Sequence, residues 1–175
     1  MMSNQARYKI FISHIKEEEE FAKVVKQCLD AAFGQSVEVF VAADPEGIKE
    51  GADWLKAISD SLETADLMLV LCSKTSVSRP WINFESGAAW VRRIPLIPLC
   101  HSYMEPHSLP LPLNTLQAAR IDNPEGVSSL IKTIKTYADK LSLNDDVNDA
   151  IKNMISNYHE IRHNIVRRAL GAVPK

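Results

Sequence analysis

Between residues 67 and 72 the chain reads LMLVLC, an apolar run without a single polar interruption. A strand on a half-solvated sheet alternates apolar and polar side chains. A continuous run instead marks a strand covered on both faces, which is the habit of parallel sheets. Shorter runs recur at Tyr8–Ser13 (YKIFIS), Val37–Val41 (VEVFV), 94–100 (IPLIPLC) and, weakly, 118–121 (AARI).

Helical patterns lie between these runs. Over residues 17–33, Phe21, Val24, Val25, Cys28 and Leu29 recur at helical spacing behind four consecutive glutamates, Glu17 to Glu20. The acidic run suits a helix N-terminus and reads as solvated, and Gly34 supplies the stop. Further helices are predicted over 54–64, 80–93 and 124–141, with Pro80 in a first turn and Arg92 and Arg93 at a C-terminal end. Pro95 and Pro98 predict interrupted pairing in the fourth strand. The alternation predicts an α/β domain over residues 7–141: a flavodoxin-like, doubly wound, five-stranded parallel sheet of order 2-1-3-4-5 with helices on both faces. Residues 142–175 form a C-terminal helical extension. There Val147, Ile151, Met154, Tyr158, Ile161 and Ile165 alternate four- and three-residue spacings. Such a seam either docks back on its own domain or pairs with a second copy.

Composition removes several classes of function. The chain has 175 residues, is 46% hydrophobic, and carries a net charge of −2 from 20 basic and 22 acidic residues. That argues against disorder and gives no electrostatic footprint for nucleic acid. No run approaches the ~18 apolar residues of a membrane span. The opening MMSNQARYKIFISH lacks the pattern of a secretory signal, and three widely spaced cysteines (Cys28, Cys72, Cys100) suggest reduced thiols. A cytoplasmic location is therefore expected. Cysteines and histidines do not fall at zinc-ligand spacing, so no metal is expected. Phosphate loop, G-x-G-x-x-G turn and G-x-S-x-G elbow are all missing.

In an open parallel sheet a ligand sits at the carboxyl ends of the strands where their order reverses, here between strands one and three. Ser13 and His14 follow the first strand, residues 73–85 follow the third, and a loop with Asp44, Ile48 and Gly51 follows the second. Trp81 and Glu85 stand four apart on a predicted helix and share a face. An indole beside a carboxylate suits a flat ring joined to a sugar, one partner stacking and the other holding hydroxyls. The same spacing also describes a core tryptophan beside a solvated glutamate. His14 reads as an acid or base or as a structural strand-end histidine, and Asp44 before Pro45 as a site residue or a turn former. Glu85 is expected at a site edge, partly exposed.

These residues resemble a known family. KIFISH followed by EEEEFA resembles the opening strand and helix of a Toll/interleukin-1 receptor (TIR) domain. The segment DPEGIKEGADW, from Asp44 to Trp54, is similar to the family's BB loop. LVLCSKTSVSRPWINFESGAAW is similar to its third strand and S-x-x-x-S-x-W-x-x-x-E signature, especially in bacterial members. The resemblance covers residues 9–121, with Ile15 and Ile82 where a serine and a cysteine are frequent. It implies cleavage of the nicotinamide–ribose bond of NAD+ to ADP-ribose or a cyclic isomer, in antiviral defence or signalling. Glu85 would be the catalytic carboxylate, with Trp81, Ser13, His14, Asp44, Ile48 and Gly51 lining the substrate pocket. NAD+ is then substrate, with no separate cofactor, and self-association through TIR surfaces is implied, with the seam of the C-terminal helix as a second surface for it. A TIR adaptor that only binds other TIR domains is the alternative, and a nucleoside-type glycosyltransferase a third reading.

Overall fold

The computed structural model describes residues 7–41 and 53–171. The continuous apolar run forms β3 (Leu67–Cys72), which is buried at every position. Around it lie β1 (Tyr8–Ser13), β2 (Val37–Val41), β4 (Leu96–Cys100) and a two-residue β5 (Ala119–Arg120). Their order is β2-β1-β3-β4-β5 and every pairing is parallel. The helices are α1 (Glu19–Phe33), α2 (Asp53–Thr64), α3 (Pro80–Val91), α4 (Pro124–Tyr137) and α5 (Val147–Gly171). This is the predicted doubly wound sheet.

Strand alternation divides the interior into two cores. Ile10 and Ile12 of β1 point to the side covered by α1, α4 and α5, together with Leu69, Leu71 and Leu99. Phe11 points the other way, with Met68, Val70, Cys72 and Ile82, toward α3. The three cysteines are free and buried, and behave as small hydrophobes.

The prolines of the fourth strand do not break its central pairing. Met68 through Cys72 run in register with Leu96 through Cys100, with Pro98 opposite Val70. The carbonyl of Pro95 faces β3 and that of Cys100 faces the β5 side, so by alternation the ring nitrogen of Pro98 also faces β5. Pairing there starts only at Leu99 opposite Ala119. The missing donor thus falls where there is no acceptor to lose.

Some predicted ends shift. Helix α3 stops at Val91 because Arg93 takes a left-handed φ of 59° and the Ile94 amide returns to the Ala89 carbonyl, a Schellman-type closure made without glycine. Helix α4 ends at Tyr137, short of the predicted 141, and the following segment turns toward α1. Asn144 donates from its side chain to the Ala31 carbonyl (2.7 Å) and from its backbone to Ala32 (2.8 Å), capping the C-terminal end of α1. Helix α5 starts there and runs antiparallel to α1. Its residues Ala150, Ile151, Met154 and Tyr158 are buried in the first core. The seam therefore docks on its own domain as far as the half-buried Ile161, and Ile151 has no face free for a second copy. Beyond it, Ile165 is 39% exposed.

Candidate active site

Ser13 is the last residue of β1 and, following Phe11 by two, points to the α3 side. Glu85 lies in the second turn of α3, five residues after Pro80 opens it. The strand end and the helix bring the two together: Ser13 Oγ donates to Glu85 Oε2, and both residues are fully buried. Glu85 is therefore no partly exposed edge residue, and the solvated-glutamate reading of the W-x-x-x-E pattern is overturned. Removing its carboxylate from water disfavours charge and pushes its pKa up to about 7, while the Ser13 hydroxyl and the Trp81 side chain act the other way. A buried carboxyl poised near neutrality beside a strand end has the character of a reacting group.

Trp81 is half-buried. Its ring stacks on Phe84 (centroids 5.5 Å apart, planes at 26°) and packs against the second core. The tryptophan thus belongs to the edge of the core, and it faces the carboxylate. His14 lies elsewhere. It follows Ile12 by two, is buried, and pairs its Nδ1 with the Ile15 carbonyl at 2.7 Å. With Nδ1–H donating there, the ring is oriented by its own backbone and makes no hydrogen bond with Glu85. Asp44, Ile48 and Gly51 lie outside the described residues.

A second polar cluster escaped sequence reasoning. Glu18, expected to be solvated with its neighbours, is buried. Its Oε1 accepts from Ser73 Oγ (2.6 Å) and His101 Nε2 (3.1 Å), at the carboxyl ends of β3 and β4. The buried Ser76 hydroxyl in turn meets the Ser73 amide at 2.8 Å. The signal was available: Glu18 stands three before Phe21 and seven before Val25, on the apolar face of its helix. Among the described residues, no group of three histidines, cysteines or carboxylates could hold a metal, and no helix is long and apolar enough to cross a membrane.

Known proteins share the family and the fold. The family model described as TIR domain matches residues 10–131. No curated protein matches the chain. Among solved structures it is similar to a conserved protein from Enterococcus faecalis V583, with a TM-score of 0.51 and 14% identity over 75% of this chain and 99% of that one. It is also similar to the TIR domains of the activated Roq1 resistosome directly recognizing the pathogen effector XopQ, with a TM-score of 0.42 and 14% identity over 87% and 84% of the two chains. At such identity the first likeness speaks for the fold alone.

Proposed function

Because the chain belongs to the TIR domain family, we propose that it cleaves the nicotinamide–ribose bond of NAD+, with Glu85 acting on the ribose. The observation that carries this reading is the buried Ser13–Glu85 pair at the carboxyl end of β1, beside the point where strand order reverses, with Trp81 on the same helix.

The chemistry asks little of the protein beyond a well-placed negative charge. As the bond from the ribose C1′ to the pyridinium nitrogen breaks, both electrons go to the ring, which leaves as neutral nicotinamide without needing a proton. The ribose is left as an oxocarbenium-like cation, which a carboxylate stabilises. Glu85 must be ionised for this. A cationic nicotinamide ring bound beside it favours the carboxylate and so readies the residue for its own reaction. Water attack gives ADP-ribose and releases a proton. Attack by an atom of the folded ADP-ribose moiety gives a cyclic isomer, with Trp81 as a surface for the adenine. A role in bacterial antiviral defence or signalling in the cytoplasm, with self-association of the chain, belongs to the same proposal.

Incubation with NAD+ at high protein concentration, following nicotinamide release, tests it. Glu85→Gln keeps the shape and should lower turnover about 100-fold or more. A folded Gln variant with wild-type turnover removes Glu85 from the role. If the wild-type chain releases no nicotinamide, the reading as a TIR–TIR binding module replaces this one. That second reading draws on Phe84, Trp90 and Val91, exposed apolar side chains of α3.

A further inference from the structure

Where β4 ends, two consecutive non-glycine residues take left-handed backbone angles: Ser102 (φ 52°) and Tyr103 (φ 66°). Residues with a Cβ adopt this region only when the surroundings hold them there, and such outliers gather where a conformation is needed. Here the holding groups come from α5. The Ser102 amide donates to Tyr158 Oη at 2.9 Å, and the Arg162 guanidinium lies 4.4 Å from the centroid of the Tyr103 ring. Helix α5 lies outside the span matched by the TIR domain model, so this clamp is a feature of the chain's own extension.

The clamped turn has a consequence toward the site. It begins with His101, whose Nε2–H donates to Glu18 Oε1, while Ser102 Oγ sits 2.9 Å from Nδ1. Phe21 packs against both ends of this contact, 4.9 Å from the His101 ring and 5.1 Å from that of Tyr158. Glu18 closes the short turn Lys16–Glu18, its amide returning to Ile15 at 2.9 Å. That turn is separated by only His14 and Ile15 from Ser13, the residue that donates to Glu85. Tyr158, the left-handed turn, His101, Glu18 and the β1–α1 connection thus form one contiguous path.

We propose that α5 positions the Glu85 site: Tyr158 holds the left-handed turn that aims His101 at Glu18, and Glu18 thereby fixes the connection that presents Ser13 to Glu85. Tyr158, His101 and Glu18 are positioning residues, none of them touching Glu85. The activity arm of the test rests on the NAD+ reading above; the structural arm does not.

Tyr158→Phe keeps the ring against Phe21 and removes only the acceptor for the Ser102 amide. Hydrogen exchange followed by mass spectrometry should quicken at residues 101–104 and also at 13–19, with a small change in melting temperature. Nicotinamide release should lose about tenfold in kcat with KM held within about threefold, the pattern of a misplaced group rather than a lost contact. Tyr103→Gly in the same background supplies a residue that takes the left-handed angle unaided. It should restore slow exchange at 13–19 and most of kcat, which a merely structural role for Tyr158 would not predict. Quickened exchange confined to 101–104, or failure of the glycine to rescue, overturns the proposal. If Tyr158→Phe does not fold, Arg162→Gln loosens the same turn from half-buried ground and carries the same expectation and the same overturning result. If wild-type protein releases no nicotinamide, the NAD+ reading falls, and exchange at 13–19 alone decides the coupling.

Discussion

Glu85 sits in a dry setting whose main protein contacts are a serine hydroxyl and an indole, and this fixes how the protein responds to pH. Burial raises its carboxyl to about 7 from an ordinary value of 4.5. Between those values the folded state holds a proton that the unfolded state has lost, so stability is full below about 4.5 and falls as pH climbs through 7. The size is on the order of 3 kcal/mol. Thermal melts at pH 5 and pH 8 should therefore differ more for the wild type than for Glu85→Gln, which has no proton to lose. Equal pH shifts in the two proteins would show that the carboxyl titrates normally. On the NAD+ reading proposed above, turnover should run in the opposite sense, since the charged form would do the work: kcat/KM should rise with pH through about 7. The limb in kcat should lie lower, because bound substrate brings a cation. Trp81→Phe removes an indole N–H that favours the carboxylate, so its kcat/KM limb should move to higher pH. A limb that stays put would separate Trp81 from the ionisation of Glu85.

At the scale of elements, α5 is where expectation and structure bear most directly on experiment. Ile151 is 8% exposed and packed in the core shared with α1. Ile151→Asp should lower stability by around 4 kcal/mol through an unpaired buried charge. Light scattering should find the molar mass of the folded fraction unchanged; a drop in mass with an unchanged melt would instead mean that the helix pairs between copies. The strands were legible because a run such as LMLVLC admits few other fates, and helix α1 because its apolar spacing is regular. The end of α3 was harder to read, since Arg93 adopts a conformation usually signalled by glycine. Pro98 misled for a related reason: a proline in a strand says that a donor is missing, but not which neighbour it would have served. In the site, the pairing of Ser13 with Glu85 followed from topology, because residues after strands one and three must meet at the reversal of strand order. The burial of Glu85 did not follow, as four-residue spacing gives a face without saying what covers it. Glu18 was hidden by its neighbours, three further glutamates whose charge made the whole run look solvated.

Across the whole molecule the sheet acts as a partition with polar groups at one end of each face. Ser13 and Glu85 meet on the α3 side, and Glu18, Ser73 and His101 on the side of α1 and α5. The two groups are joined through the connection after β1, and the Arg79–Glu17 ion pair (2.9 Å) ties that connection to the start of α3. Consequently the part of the chain that bears the family's resemblance should not stand alone. The matched span ends at residue 131, yet Tyr158 meets Phe21, and Val24 and Cys28 line the cleft beneath Ala150 and Met154. A sample trimmed after Leu141 would keep Ser13, Trp81 and Glu85 while opening an oily stripe along α1 to water. Such a sample should precipitate or melt well below the full chain, and a trimmed protein matching the full chain's melt would contradict this. Anyone expressing the domain by its family boundary would then take a cut through the core for an inactive enzyme.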